Sequence, residues 1–332
     1  MRQKIIDLLT EHRALLLVGA RLAAGMAFDA VVRVERHLSR KLARAPREHA
    51  ARVEGIQAQV RRWRSQPAER RRPRCTDRKT WMPLSTRFAP KGSWHRIVMS
   101  GLRDILSFDA EKRTVTVEPF VTVGQITRYL MARGYMLAVT LEIEDASIGG
   151  LALAAGMTAH SHKVGMLFET VSAWEVVLAT GGRVVATATD HEDLFRALPW
   201  SHGTLGLLVS LELRVIPIKP FMHLTYIPVR SQVELCQRMR DLSTAKDAPD
   251  FLGATVFAKD SAVIRTGDLA DPRGAELEKV NPTGRFYKPW FHKHVEGLVE
   301  RGGDEYLPLS HYLMRHNRSI FLGGGGHDPL RQ

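Results

Sequence analysis

Apolar and polar residues alternate along several short stretches of the chain, and this period of two predicts β-strands. The stretches are Trp94–Met99, Thr114–Val117, Val171–Leu178, Arg183–Thr187 and Leu205–Ile218. Gly181 and Gly182 separate the third stretch from the fourth, which predicts a hairpin. Val123–Ala132 instead has apolar residues at helical spacing and ends just before Gly134. Strands mixed with helices, without an internal repeat, predict an α+β or α/β body.

A basic segment precedes this body. Residues 33–64 carry apolar positions at helical spacing, interrupted near Pro46, which predicts two basic helices. Residues 66–78 contain Pro67, Pro73 and a run of arginines, and we interpret them as a solvated linker. Residues 33–79 hold 16 basic against 5 acidic residues, so they carry most of the formal net charge of +13. An anionic membrane surface fits this charge, and without an aromatic and basic motif no nucleic-acid partner is expected.

An apolar stretch at residues 14–30 lies before the basic segment. It is interrupted only by Arg21 and Asp29, and its length is near the minimum for a membrane span of ~20 residues. Arg21 near the middle would cost roughly 2.5–3.5 kcal/mol on insertion. We therefore predict a single membrane helix whose basic flank stays on the cytoplasmic side. An amphipathic helix that lies on the membrane or packs on the body is the alternative.

The side chains that could bind a metal or form disulfides are few. Cys75 and Cys236 cannot build a disulfide framework and lack metal-ligand spacing, which indicates a reducing compartment. His160 and His162 form a His-x-His pair without a third ligand nearby, which is a weak metal signal. No metal is expected.

The segment that carries the most chemistry is rich in glycine and small residues. A serine precedes two glycines, a third glycine follows, and few bulky side chains interrupt them. Such a backbone can approach a ligand closely, and amides at a helix start can bind a pyrophosphate. The alternative is that the glycines only permit tight packing of a helix on a strand. The candidate cofactor-binding residues are Ser147, Ile148, Gly149, Gly150, Leu151, Ala152, Leu153, Ala154, Ala155, Gly156, Met157, Thr158 and Ala159.

The order of several segments resembles a known family. Thr114–Gln125, Ser147–Phe168, Glu175–Gly182, Asp193–Leu208 and Glu212–Pro217 follow one another as in the vanillyl-alcohol-oxidase-type (PCMH-type) FAD-binding fold. Within that fold the chain resembles the Δ24-sterol reductases, which include a plant brassinosteroid-pathway member. The more particular matches are Ala45–Val53, Pro199–Gly206, Tyr287–Glu296 and Glu305–Phe321. The resemblance covers roughly residues 12–321.

The resemblance implies the fold class and the domain organisation. We expect an α+β, vanillyl-alcohol-oxidase-type FAD-binding domain at 42–218, preceded by a membrane-anchor region at 1–41. An incomplete substrate (cap) domain is expected at 219–322, followed by an atypical glycine-rich tail at 323–332. The return of the chain to the flavin domain after the cap is expected to be missing.

The resemblance also assigns the cofactor site. The thirteen candidate residues are expected to bind FAD, with the amides of Ile148, Gly149, Gly150 and Leu151 near its pyrophosphate. Ser201–Gly206 is expected to form another wall of the same cleft, and His160 to intrude on the cofactor or stack beside it. The Arg-Gly-x-Gly-His-Ser loop that carries covalent flavin in many relatives is absent, and Thr86–Arg96 occupies that region. FAD is therefore expected to bind non-covalently.

The function implied is the FAD-dependent reduction of the Δ24 side-chain double bond of sterols, with NADPH as electron donor. The protein is expected in the endoplasmic reticulum membrane, with a single span and a cytoplasmic body. The candidates for the proton donor are Tyr287, Tyr306, Tyr312 and His316. Two alternatives stay open: another FAD-dependent oxidoreductase of the same fold, acting on a different apolar or sugar-like substrate, and a catalytically inactive membrane-bound partner protein.

Overall fold

A computed structural model of the 332-residue chain describes residues 45–78 and 91–317. The predicted membrane span at 14–30, the first of the two basic helices and the glycine-rich tail lie outside the described residues. Within them, no helix combines the length and the apolar character needed to cross a bilayer. The chain divides into two compact units, Met1–Ala51 and Arg52–Gln332.

The first large sheet has six strands, all paired antiparallel. They are β3 (Ile105–Asp109), β4 (Thr114–Val117), β5 (Tyr135–Leu137), β6 (Val171–Val177), β7 (Arg183–Thr187) and β8 (Leu207–Pro217). The order is β3-β4-β8-β6-β7, and β5 pairs with the far end of β8. The eleven-residue β8 is thus the central strand that holds β4, β5 and β6 together.

Helix α2 (Val123–Met131) covers one face of this sheet. A capping box starts it, because Thr122 Oγ1 accepts from the Gln125 amide and Gln125 Oε1 accepts from the Thr122 amide. Gly134, with φ of 80°, follows its end. Its Ile126 and Leu130 are buried in one core together with Trp174 and Leu211 of the sheet.

A second, four-stranded antiparallel sheet follows after three residues. Its strands are β9 (Phe221–Val229), β10 (Phe251–Ala258), β11 (Ser261–Ala270) and β12 (Gly303–Pro308), in the order β10-β11-β9-β12. Residues of α7 (Phe291–Glu296) and α8 (Leu309–Leu313) pack in the core on one face. Partly buried residues of α6 (Gln232–Thr244) pack on a cluster from the other face. Both faces of the central strand β11 are therefore covered.

The remaining elements are short except for α1 (Ala45–Arg64), whose Val53, Ile56 and Val60 are buried beside the first sheet. Arg52 of this helix donates two hydrogen bonds, of 2.8 and 2.9 Å, to the fully buried Glu118. The others are the parallel pair β1 (Arg74–Thr76) and β2 (His95–Ile97), α3 (Ile148–Ala152), α4 (Ser161–Val164), α5 (Glu192–Ala197), and 3-10 turns at Ala68–Arg70, Lys91–Ser93, Leu167–Thr170 and Gly274–Lys279.

The described part of the chain has the mixed α and β content predicted, and each predicted strand coincides with an observed one within two residues at either end. The hairpin at Gly181 and Gly182 and the helix from Val123 are also confirmed. The interpretation of residues 66–78 as a solvated linker is wrong, because Arg74–Thr76 forms strand β1. Three residues are too few for a recognisable period, and their partner strand lies some twenty residues further along the chain.

Candidate functional site

The three glycines of the predicted cofactor segment have different structural roles. A Cβ atom on Gly149 would lie 2.4 Å from Cβ of Pro119, so this glycine is needed for packing. Gly156 has φ of 47°, and its Cβ would lie 2.7 Å from Cβ of Leu167. Gly150 is exposed, and its Cβ would meet only side-chain atoms, Ser147 Oγ at 2.9 Å and Arg78 Nη1 at 3.4 Å. The packing interpretation thus holds for Gly149 and Gly156, whereas Gly150 faces a cationic side chain.

The backbone amides expected near the pyrophosphate are largely engaged within the protein. The Ile148 amide donates to Val121 O at 2.9 Å, the Gly149 amide to Pro119 O at 2.9 Å, and the Leu151 amide to Ser147 O at 3.1 Å. Helix α3 is also only five residues long, so its dipole contributes little. The Gly150 amide is the remaining member of the expected set, and a Cβ atom on Gly150 would lie 3.4 Å from Arg78 Nη1.

A cavity of about 550 Å³, called the cofactor cavity below, borders Gly149 and Gly150. This volume lies within the ~300–1,000 Å³ that ligand pockets usually have. No carboxylate occurs among the described residues that line it, and its charged side chains are arginines, so it suits an anionic group. The polar or glycine residues around it are Arg74, Thr76, Arg78, Ser147, Gly149, Gly150, His202, Gly203, Thr204 and Gly206.

Arg74 and Arg78 are site residues that the sequence analysis did not identify. Arg74 lies on strand β1, and Arg78 follows this strand. Between them, the Asp77 amide donates to Ile97 O at 3.0 Å, and Asp77 Oδ1 accepts from the Met99 amide at 3.0 Å. Arg78 Nη1 donates to Ser147 Oγ at 3.2 Å. Arg74 Nη1 is buried without a hydrogen-bond partner among the described residues. Burial lowers the pKa of both guanidinium groups, which stay charged at neutral pH.

The second predicted wall lies on the same cavity. The His202 amide donates to Leu153 O at 3.1 Å, which ties Ser201–Gly206 to the glycine segment. Trp200 and His202 have φ of 62° and 50°, in the left-handed region that side chains other than glycine rarely adopt. Backbone strain of this kind concentrates at ligand-binding sites. The strained turn brings Gly203 and Gly206 to the edge of the cofactor cavity.

The thirteen predicted residues separate into three groups. Ser147, Gly149, Gly150 and Leu153 line the cofactor cavity. Met157, Thr158 and Ala159 line a second cavity of about 710 Å³, called the inter-sheet cavity below, which Leu252, Gly253 and Ala254 of β10 also border. The others line neither of these two cavities, and Ile148, Ala152 and Gly156 among them are buried. The remaining three are Leu151, Ala154 and Ala155.

The inter-sheet cavity combines apolar side chains with a buried cation. Met157, Met166 and Met239 contribute apolar surface. Arg265 is buried on β11, its Nε has no hydrogen-bond partner among the described residues, and burial lowers its pKa to about 10. The neighbouring Arg315 is paired, because its Nη2 donates to Glu142 Oε1 at 2.8 Å.

Of the four candidate proton donors, only His316 borders the inter-sheet cavity. Burial and the positive charges of Arg315 and Arg265 lower its pKa to about 3, so the imidazole is neutral at physiological pH and lacks the acidic proton of an imidazolium. The Tyr306 hydroxyl donates to Glu276 Oε1 at 2.7 Å. Tyr312 is buried in the core of the second sheet, and Tyr287 is exposed.

His160 and His162 are both engaged by the loop before β10. His160 stacks on Phe251 with ring centroids 4.8 Å apart, and its Nδ1 contacts Asp250 O. His162 Nε2 is 2.8 Å from Pro249 O. His160 therefore packs on the second sheet, and its expected contact with the cofactor stays a prediction. No group of three or more potential metal ligands occurs in the described part of the chain.

Comparisons with known proteins agree with this geometry. Residues 93–187, which include the glycine segment, match the FAD binding domain family. The human Delta(24)-sterol reductase is 41% identical over 302 residues, covering 90% of this chain and 58% of the human protein. The Arabidopsis thaliana Delta(24)-sterol reductase is 36% identical over 299 residues, covering 86% of this chain and 53% of its own length.

A Delta(24)-sterol reductase homolog of Caenorhabditis elegans is 33% identical over 333 residues, which cover 96% of this chain and 63% of that protein. The chain thus spans between half and two thirds of the length of these three relatives, and the similarity extends over most of its own residues. The cofactor cavity, with its arginines and the exposed Gly150, lies within the shared region. Over most of its length the chain is homologous to the Delta(24)-sterol reductases, and it contains an FAD binding domain of the PCMH type.

Proposed function

We propose that this chain takes part in the FAD-dependent, NADPH-driven reduction of the Δ24 side-chain double bond of sterols. The observation that carries the proposal is the cofactor cavity, which Arg78, Ser147 and Gly150 line together with a second arginine, and whose described lining residues include no carboxylate. Guanidinium groups and hydroxyls are the donors that pyrophosphate oxygens require. The named reaction of the homologous reductases supplies the substrate class.

The residues of the cofactor cavity fit an FAD pyrophosphate. Arg74 Nη1 is a buried donor without a partner among the described residues, and Arg78 Nη1 lies 3.4 Å from the position that a Cβ of Gly150 would take. Non-covalent binding by these donors is part of the proposal. The chemistry that FAD supplies when bound is hydride transfer, with NADPH as its reductant.

The chemistry of the sterol double bond determines what the protein must provide. An isolated trisubstituted alkene is not electrophilic, so a proton must be added at its less substituted carbon before the tertiary carbon can accept hydride. This requires a site that excludes water and holds an apolar side chain. Met157, Met166 and Leu252 give the inter-sheet cavity apolar surface for such a side chain. We propose that this cavity receives the sterol side chain.

The proposal includes attachment to the endoplasmic reticulum membrane through residues 14–30, with the folded body on the cytoplasmic side. Its support is the apolar sequence of that stretch and the basic residues that follow it.

The spectrum of the purified chain tests the enzyme proposal. We expect yellow protein, or protein that becomes yellow with added FAD, whose flavin absorbance is bleached by NADPH and restored by a Δ24-sterol. Protein that takes up no FAD would contradict the proposal and favour the non-catalytic partner. Bleached flavin that oxygen reoxidises, while the sterol does not, would instead favour an oxidoreductase with another substrate.

Replacement of Arg78 tests the pyrophosphate contact. Arg78→Gln keeps a hydrogen-bond donor but removes the charge, and a hydrogen bond to a charged group contributes ~1.5–3 kcal/mol. We expect FAD affinity, measured by quenching of flavin fluorescence, to fall by roughly tenfold or more. Arg70→Gln in the same basic segment is the control, because Arg70 is exposed and does not line the cavity. Equal losses in both variants would mean that only overall charge matters.

A further inference from the structure

The loop before α7 carries an unusual concentration of exposed aromatic side chains. Phe286 is 88% exposed, Tyr287 65% and Trp290 37%. Among the described large apolar residues that are exposed, these three and Trp200 are the aromatic ones. Residues Arg285–Trp290 are called the aromatic loop below. Exposed aromatic surface clustered in one short segment is typical of a contact site.

The aromatic loop is held in place by buried residues on both sides. Thr283 precedes it and Phe291 follows it, and both are buried. Inside the loop the Lys288 amide donates to Arg285 O at 3.0 Å, and after it the His294 amide donates to Trp290 O at 3.0 Å. The rings of Phe286 and Tyr287 meet edge to face at 5.4 Å. The rings are therefore presented by a defined backbone.

The charge around the loop has one sign. The seventeen residues between Glu278 and Glu296 include Lys279, Arg285, Lys288 and Lys293 and no acidic residue. Lys279 and Lys293 each form an ion pair with a carboxylate outside the segment. Arg285 and Lys288, the two basic residues of the aromatic loop, also interact within the protein. Basic residues beside exposed aromatic rings match the two layers of a membrane surface, anionic headgroups over an apolar interior.

We propose that the aromatic loop inserts into the interface of an anionic lipid bilayer, so that the folded body has its own membrane contact. Phe286 and Tyr287 enter at the depth of the headgroups, where aromatic side chains are favoured, and Arg285 and Lys288 lie against the lipid phosphates. A protein partner for this surface would have to match both the rings and the positive charge. This contact does not depend on residues 14–30 or on the enzymatic proposal.

The position of the aromatic loop suggests a function for its contact with the membrane. A cavity of about 250 Å³ lies behind it, bordered by Trp290, Phe291 and Arg315. Arg315 also borders the inter-sheet cavity, so this buried side chain lines both cavities. An apolar molecule leaving the bilayer at the aromatic loop would arrive beside the proposed sterol site. This last step rests on the proposed function, whereas the lipid contact stands on the loop alone.

A fluorescent probe on the loop tests the contact in the full chain. The protein carries Cys75→Ser, Cys236→Ser and Phe286→Cys, and the new thiol is labelled with an NBD group whose emission rises and shifts to the blue in an apolar environment. With phosphatidylserine-containing vesicles we expect a blue shift and quenching by spin-labelled acyl chains. Phosphatidylcholine vesicles should give a much smaller change, because the basic residues then have no anionic headgroups to bind.

The matched control places the probe at Val233, which is 78% exposed on α6, a helix without aromatic residues. Its emission should stay unchanged while the protein sediments with the same vesicles. An unchanged spectrum at position 286 in vesicle-bound protein would overturn the proposal. A blue shift at position 286 without vesicles would also overturn it, since another protein surface then covers the loop. Loss or retention of FAD binding would not alter either result.

Discussion

Gly149→Ala is expected to destabilise the folded body by about 1–3 kcal/mol, the usual cost of overpacking a filled site. The added methyl group would lie 2.4 Å from Cβ and 2.8 Å from Cα of Pro119. A proline ring cannot rotate away, and the Gly149 amide holds the backbone in place by donating to Pro119 O. The gain of up to ~1 kcal/mol in helix propensity offsets only part of this cost.

Gly150→Ala is the matched substitution one residue further along, and it should not destabilise the folded body. Its methyl group would meet the ends of Ser147 and Arg78, which can move, so the free energy of unfolding should stay the same or rise by up to ~1 kcal/mol. FAD affinity should nevertheless fall by about tenfold, because the methyl group displaces Arg78 and fills the space beside the amide.

Chemical denaturation of the apo proteins and FAD titration of each variant measure the two effects separately. A Gly150→Ala protein that binds FAD as tightly as the wild type would show that the pyrophosphate does not lie at this glycine. A Gly149→Ala protein of unchanged stability would show that the contact with Pro119 relaxes easily.

Arg265→Met is expected to stabilise the apo protein, although it removes a charged residue from a polar site. Burial lowers the Arg265 pKa to about 10, which corresponds to roughly 3 kcal/mol of penalty on the charged form. Because the Arg265 pKa is lower in the folded state, the cation is less stable there than in the unfolded state at neutral pH, and it therefore reduces the stability of the fold. Methionine has a similar length and no charge to bury, so the free energy of unfolding should rise by ~1–3 kcal/mol.

Arg315→Met is the matched variant, because Arg315 borders the same cavity and is also buried. Its side chain is 4% exposed, and that of its partner Glu142 is 17% exposed. Removal of the arginine leaves this carboxylate without its cation, and breaking a buried pair costs ~3–5 kcal/mol. Denaturation at neutral pH should therefore order the proteins as Arg265→Met, wild type, Arg315→Met. A less stable Arg265→Met protein would mean that Arg265 has a stabilising partner in solution.

The sequence was sufficient to predict the elements whose pattern is local. The alternation in Arg183–Thr187 and the helical spacing after Thr122 gave the correct strand and helix, because one buried face imposes a period on each. The glycine segment and Ser201–Gly206 were correctly predicted to border one cleft, although only the resemblance to a known fold connected them.

Contacts between distant segments could not be predicted in this way. Arg74 and Arg78 reach the cofactor cavity only because β1 pairs with β2, and an arginine-rich segment with two prolines gives no sign of that. Arg265 alternates with Ile264 along β11, a pattern that normally places a polar residue on a solvated face. It is buried because helices cover both faces of the second sheet, and a single strand carries no information about this.

In the sequence, Gly156 separates the residues of the glycine segment that line the cofactor cavity from those that line the inter-sheet cavity. Gly156 is buried, and its packing on Leu167 fixes the middle of the glycine segment. The stretch before it can then adjust to a ligand in the cofactor cavity without moving the stretch after it. In thermodynamic terms the coupling free energy between the two cavities through this segment should be close to zero. Any coupling between the two ligands would then have to come from direct contact between them and not from movement of this segment.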